Sequence, residues 1–200
     1  MTKIKICGLF RDCDIDYINE AMPDYAGFIL HFPKSHRNID PVQAQHLRGR
    51  LRPEIRAVGV FVDQPVQTVL EAVKIARLDV IQLHGHEDNV YIQIIKEKTG
   101  KPVWKAFRIR TALDLDEARV SSADEVILDN GYGTGVPFDW KMVREFGAPY
   151  ILAGGLTPGN IREAVRLLRP KALDLSSGVE TNNVKDREKI LAAVRAAWSE

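Results

Sequence analysis

Short apolar runs recur along the chain with a steady beat, and the stretches between them carry helical spacing. The runs are Ile4–Cys7, Gly27–Leu30, Arg56–Val62, Val80–Leu83, Val103–Ala106, Val126–Asp129, Tyr150–Ala153 and Leu173–Ser176. A new one begins about every 23 to 29 residues. Most are continuously apolar and not alternating, the pattern of parallel strands covered on both faces. Helical patterns fill the intervals: Asp14–Met22, Pro41–Arg48, Val66–Ala76, Tyr91–Lys98, Asp114–Arg119, Trp140–Phe146, Pro158–Leu168 and Asp186–Trp198. Thr157 and Pro158 read as the cap and first position of the seventh helix. Ile190, Leu191, Val194, Ala197 and Trp198 give the last helix a face on which to dock.

Eight strands alternating with eight helices, without a linker or low-complexity tract, predict an α/β fold. It is a single (β/α)8 TIM barrel, with residues 1–200 forming one catalytic domain. An open doubly wound sheet is the alternative. That fold calls for a Gly-rich phosphate turn after the first strand, where only Gly8 stands.

An apolar fraction of 45% over 200 residues is enough for one sizeable core. With 28 basic and 27 acidic residues, no global field recruits nucleic acid or an anionic membrane. Any anionic ligand must then be caught by local devices. No apolar run is long enough to span a bilayer and no signal-peptide pattern opens the chain, so a cytoplasmic location is expected. Cys7 and Cys13 match no zinc spacing, and a structural disulfide is not expected.

In a barrel of this kind the site is built from the carboxyl ends of the strands and the loops after them. Those positions hold Cys7-Gly8, the segment from His31 to Arg37, Asp63, Gln82-Leu83-His84-Gly85, Asp129-Asn130-Gly131, Ala153-Gly154-Gly155 and Ser176-Ser177-Gly178. The last two turns leave the seventh and eighth strands, where barrels most often bind phosphate. Glycines there let backbone amides approach an anion closely, or they simply make tight turns.

Cys7 is either a small buried side chain or a reactive thiol facing the site. Asp129 either caps the following turn or takes part in catalysis. Together they offer two titrating groups, one to take a proton from carbon and one to give a proton to a leaving oxygen. Arg37 presents a planar fork suited to a carboxylate, or is a solvated loop residue. His84 lines the pocket or hydrogen-bonds locally; the five histidines form no His-Glu-x-x-His pattern, and no metal is expected. Trp104, Trp140 and Trp198 read as packing residues.

An ordered set of motifs then carries a family resemblance over essentially the whole chain. It consists of Lys5-Ile6-Cys7-Gly8, Phe32-Pro33-Lys34-Ser35-His36-Arg37, Val58-Gly59-Val60-Phe61-Val62, Gln82-Leu83-His84-Gly85 and Leu128-Asp129, followed by Gly133-Thr134-Gly135 before Phe138-Asp139-Trp140, then Ala153-Gly154-Gly155-Leu156, and Asp174-Leu175-Ser176-Ser177-Gly178-Val179-Glu180. In this set the chain resembles the phosphoribosylanthranilate isomerase family of tryptophan biosynthesis.

The resemblance implies an Amadori rearrangement without metal or organic cofactor. N-(5-phosphoribosyl)anthranilate would become 1-(2-carboxyphenylamino)-1-deoxyribulose 5-phosphate. Cys7 would be the general base at the ribose C2 carbon, and Asp129 the general acid at the ring oxygen. Arg37 would take the anthranilate carboxylate, and Gln82 and His84 would line the substrate pocket. Gly154, Gly155, Ser176, Ser177 and Gly178 would surround the phosphate. A thiol acting as base must ionise, so a positive charge is expected near it, and Lys5 shares its strand and face. The expected partner is the small phosphosugar-anthranilate substrate alone, with no nucleic acid or membrane, in a monomer or homodimer. Two departures from the family pattern stand out. Phe10 occupies a position that is usually threonine, and Val136-Pro137 follow the Gly133–Gly135 loop.

Three rival readings have distinct signatures. The histidine-pathway aminoaldose isomerase would place an aspartate where Cys7 stands. A pentose-phosphate epimerase would bring metal-binding histidines and acids on several strands. A catalytically silent binding protein would keep the glycine turns and Arg37 while losing the acid or the base.

Overall fold

The structure, a computed structural model, describes residues 2–129 and 140–198. The motif residues from Asn130 to Asp139, including Gly133–Gly135 and Val136-Pro137, lie outside the described residues. Eight parallel strands make the barrel: β1 (Lys3–Cys7), β2 (Tyr25–Leu30), β3 (Arg56–Phe61), β4 (Val80–Leu83), β5 (Val103–Arg108), β6 (Glu125–Asp129), β7 (Ile151–Ala153) and β8 (Ala172–Leu175). Each pairs with the next, and β1 pairs with both β2 and β8, so the sheet closes. The helices are α1 (Asp12–Ala21), α2 (Pro41–Arg50), α3 (Val66–Ala76), α4 (Asn89–Thr99), α5 (Ala112–Arg119), α6 (Trp140–Arg144), α7 (Ile161–Leu168) and α8 (Arg187–Trp198). The expected (β/α)8 barrel is the fold observed.

Side chains of a strand alternate between lumen and helix layer, so register assigns each residue a side. Tyr25, Val58, Val80, Trp104, Ala106, Ile127, Ile151, Ala153 and Ala172 form one buried cluster, the floor and middle of the lumen. Tyr25 and Trp104 meet edge to face there, with ring centroids 4.9 Å apart. The opposite parity feeds a larger core between strands and helices, including Ile4, Ile6, Phe28, Ile81, Leu128 and Leu173. Both faces of the strands are therefore apolar, which is why the runs read as continuous in the sequence.

At the amino-terminal rim a repeated device pins neighbouring strands. Asp24, just before β2, accepts from the Ile4 amide of β1 at 2.9 Å. Asp79, before β4, accepts from Ala57 of β3 at 2.8 Å, and Asp124, before β6, accepts from Val103 of β5 at 2.8 Å. Each carboxylate satisfies a backbone donor at a strand start that the ladder would leave open.

Helix ends differ from the sequence reading where a side chain captures the turn. Helix α7 starts at Ile161, not at Pro158. Asn160 Oδ1 accepts from the Thr157 amide at 2.8 Å and its Nδ2 donates to the Gly155 carbonyl at 2.9 Å. Residues 157–160 thus form a turn tied to the glycine bend after β7. Helix α6 stops at Arg144, and Phe146 packs into the core beyond it. Trp104 is a buried lumen residue, while Trp140 and Trp198 pack at the margin of the outer core.

Candidate active site

The lumen parity continues upward into the chemistry. Two residues above Tyr25 lies Gly27, in register with Cys7, and two above Ala172 lies Asp174, in register with Lys5. Asp129 follows Ile127 by two and pairs with Ala153. Cys7, Lys5, Asp129 and Asp174 therefore all stand on inward positions at the carboxyl-terminal half of the barrel.

Cys7 is only 7% exposed. The amides of Gly8 and Leu9 both donate to the Gly27 carbonyl, at 2.9 and 3.0 Å, turning the chain sharply out of β1. Ser176 Oγ donates to the Cys7 carbonyl at 3.1 Å and ties the end of β8 to this turn. Beneath the thiol the Lys5 ammonium is fully buried and donates to both oxygens of Asp174, at 2.8 and 2.7 Å. Burial pushes the Cys7 thiol above its ordinary value, with Lys5 opposing the rise and Asp174 adding to it. The positive charge expected near the sulfur is present, and desolvation outweighs it.

Asp129 closes β6 with its side chain 14% exposed, and His84 Nε2 lies 3.3 Å from Oδ2. Arg108, the last residue of β5, is its neighbour in register. Gln82 is 1% exposed on the inward face of β4, and its Oε1 has no hydrogen-bond partner among the described residues. A buried acceptor left open is costly unless something else fills it.

Arg37 reaches over Gly8, where an added Cβ would lie 2.4 Å from Arg37 Cδ. Its Nε and Nη2 donate to the two oxygens of Glu180, at 2.6 and 2.5 Å. Lys185 donates to the same carboxylate at 2.6 Å and to the Ser176 carbonyl at 3.1 Å. Burial resists ionisation of Glu180, but the Arg37 fork and Lys185 outweigh it and hold its carboxyl below the usual range. Burial pulls the Lys185 ammonium down, with Glu180 working against that. The fork is thus side-on to Glu180, leaving Nη1 and one Nη2 hydrogen for another acceptor.

The two glycine bends meet backbone to backbone. Gly154 and Gly155 adopt φ of 86° and 64°, which L side chains rarely do. A Cβ on Gly178 would sit 1.8 Å from the Leu156 carbonyl oxygen, so only glycine allows this approach. Ser177–Val179 form a single helical turn directly after β8.

The site contains residues to which the sequence reading gave no role. Asp174, Glu180 and Lys185 belong to it, and Arg108 flanks it. A charged residue inside an apolar strand, as at 174 and 108, was the available signal. Lys185 sits in a short hairpin, Glu180–Thr181 with Val184–Lys185, that carries no such mark.

Fold and site together define a (β/α)8-barrel enzyme with its titratable groups gathered at the carboxyl ends of the strands. Comparison with known proteins narrows this. A family model described as N-(5'phosphoribosyl)anthranilate (PRA) isomerase matches residues 4–196. N-(5'-phosphoribosyl)anthranilate isomerase of Thermoanaerobacter sp. (strain X514) is 45% identical over 197 residues, covering 95% of each chain. The crystal structure of phosphoribosyl anthranilate isomerase from Thermotoga maritima superposes with a TM-score of 0.90 at 32% identity, covering 98% of each chain. A structure of the enzyme in complex with reduced 1-(o-carboxyphenylamino)-1-deoxyribulose 5-phosphate superposes at 0.88, with 32% identity and the same coverage. The chain belongs to the phosphoribosylanthranilate isomerase family, enzymes of tryptophan biosynthesis.

Proposed function

We propose that this chain is one catalytic domain that rearranges N-(5-phosphoribosyl)anthranilate to 1-(2-carboxyphenylamino)-1-deoxyribulose 5-phosphate, with Cys7 as general base and Asp129 as general acid. The observation that carries the assignment of roles is the shared inward parity of the two groups at the ends of β1 and β6. The family match and the neighbour bound to the reduced product analogue support the reaction.

In this reading the protonated Asp129 carboxyl gives its proton to the ribose ring oxygen as the bond from C1 to that oxygen breaks. The aniline nitrogen supplies the electron pair, leaving an open-chain iminium. The ionised Cys7 sulfur then removes the C2 proton, forming an enol conjugated with the nitrogen. Loss of the enol proton and protonation at C1 give the 2-ketone, so no atom is gained or lost. His84 orients the Asp129 carboxyl through its Nε2 contact.

Arg37 holds the anthranilate carboxylate on the donors that Glu180 leaves open, and the buried Gln82 acceptor takes a substrate hydroxyl. The phosphate lies over the bends, against the amides of Gly154, Gly155, Ser177 and Gly178, with Ser176 fixing the second bend to β1. Binding the phosphate and carboxylate at two ends places C2 and the ring oxygen at fixed distances from sulfur and carboxyl.

The test is loss of anthranilate-side fluorescence from substrate generated in situ. Cys7→Ser and Asp129→Asn should each lower kcat by roughly 10²–10⁴-fold, the usual contribution of one acid–base group, while product-analogue affinity is kept. Parent-like turnover in either variant removes that residue from the mechanism.

A further inference from the structure

Lys5 is a fully buried charge, and the acid–base steps above make no use of it. A lysine with no exposure at all is rare and needs a reason, because desolvating an ammonium is costly. Asp174 accounts for part of it. Yet the stem also runs beside the sulfur. An added Cβ on Gly27 would lie 2.9 Å from Cys7 Sγ and 3.0 Å from Lys5 Cε, so both groups converge on one point above that glycine. No larger residue at 27 leaves room for both.

The charges around the sulfur can be counted. Facing it are Lys5 from β1, Asp174 from β8 and Lys185 from the hairpin, with Glu180 and Arg37 next beyond Lys185. β2 offers only Gly27, and Tyr25 a layer below. Lys185 is engaged by Glu180 and, in the reading above, Arg37 also takes the substrate carboxylate, so Lys5 is the cation placed to answer a charge on the sulfur.

We propose that Lys5 is a positioning residue for the base: its ammonium, anchored by Asp174, turns to the Cys7 sulfur as the ion partner of the thiolate. Asp174 then works in two directions, fixing the lysine stem while competing for its charge. The ammonium keeps its own proton throughout, and the thiol proton leaves to water before the substrate covers the site. Burial works against the Lys5 ammonium, but Asp174 and Cys7 outweigh it and raise its pKa, in keeping with a permanent cation. This proposal rests on the reading of Cys7 as base, but it can be tested without turnover.

The measurement is thiolate absorbance near 240 nm against pH, in a Cys13→Ser background where Cys7 is the sole thiol, with a chain lacking both thiols subtracted. Lys5→Met should move the Cys7 midpoint up by about one pH unit or more. Asp174→Asn, which frees Lys5 from its competitor, should move it down. A merely structural role would not shift the two variants in opposite directions. A Lys5→Met midpoint equal to or below the parent overturns the proposal. An Asp174→Asn midpoint that stays or rises does the same, and that variant serves alone where Lys5→Met does not fold. Full activity in Cys7→Ser would sink the base assignment instead, and leave the titration result standing.

Discussion

Replacing Glu180 by glutamine isolates the electrostatic anchor of Arg37 with almost no change of shape. The carboxylate accepts from Arg37 Nε and Nη2 and from Lys185 Nζ at 2.5 to 2.6 Å, and its side chain is 5% exposed. The amide keeps one acceptor but turns a donor toward a cation. Breaking a buried pair by removing one partner costs about 3–5 kcal/mol, mainly because the other charge stays buried and unbalanced. Lys185 has no exposure and bears that cost in full, whereas Arg37, 17% exposed, can turn partly to water. We therefore expect a loss of about 3 kcal/mol in urea unfolding at pH 7. The folded carboxyl lies below its ordinary value of 4.5, so its contribution is fully present above that pH and fades as pH falls from there toward the folded value. Acid destabilisation over that window should be weaker in Glu180→Gln than in the parent. With its fork unanchored, Arg37 should bind substrate less well, raising KM by roughly tenfold with a smaller change in kcat. A stability loss under about 1 kcal/mol together with an unchanged KM would refute the reasoning.

Two further substitutions separate the rims of the barrel. Gly178→Ala would force a Cβ to within 1.8 Å of the Leu156 carbonyl unless the bends after β7 and β8 move apart. Competition by inorganic phosphate should weaken at least tenfold, measured as the inhibition constant, and unchanged inhibition would take the anion away from these loops. Asp79→Ala removes the acceptor for the Ala57 amide and the 3.3 Å contact to Arg48. It should cost about 1.5–3 kcal/mol in urea unfolding, the range for a hydrogen bond to a charged group, while kcat/KM stays at the parent value. A matching loss of activity would show that the amino-terminal rim is coupled to the chemistry.

The barrel was legible because parallel strands covered on both faces print as uninterrupted apolar runs, and their spacing matches one strand and one helix per unit. Helix ends were less so. At α7 the start depends on Asn160, whose side chain bridges Thr157 and Gly155 before the helix begins. Thr157 and Pro158 give the same sequence signal whether or not that happens. Among the candidate site residues, those at strand ends could be named from the sequence as candidates: Cys7, Asp129 and the glycines of the last two bends. Gln82 and His84 followed from their place at the carboxyl end of β4 and just beyond it. The charge network could not be picked out. Lys5 meets Asp174 across 169 residues, and Arg37 meets Glu180 across 143. Residues that far apart are neighbours only because β1 closes on β8, and no local pattern encodes the register of that closure.

The closure also explains how a nearly neutral protein keeps so many charges out of water at one rim. Each of Lys5, Glu180 and Lys185 would be destabilising by itself, and each lies within 3 Å of a group of opposite sign. Such pairs add little net stability, since Coulomb gain and desolvation nearly cancel. The stability must come from elsewhere: from the apolar core between strands and helices, and from the opposite rim. There Asp24, Asp79 and Asp124 lock β1, β3 and β5 at their starts, below a lumen packed with Tyr25 and Trp104. Rigid strand starts fix the register of the strand ends, and the register decides whether Cys7 and Lys5 face the lumen beside Asp174. If β1 slipped by one residue, the sulfur and the ammonium would both turn into the apolar helix layer, and Asp174 would lose its partner. The register that holds the buried charges is thus set jointly by the apolar core and by several strand-start carboxylates, so loss of a single one lowers stability without moving the site.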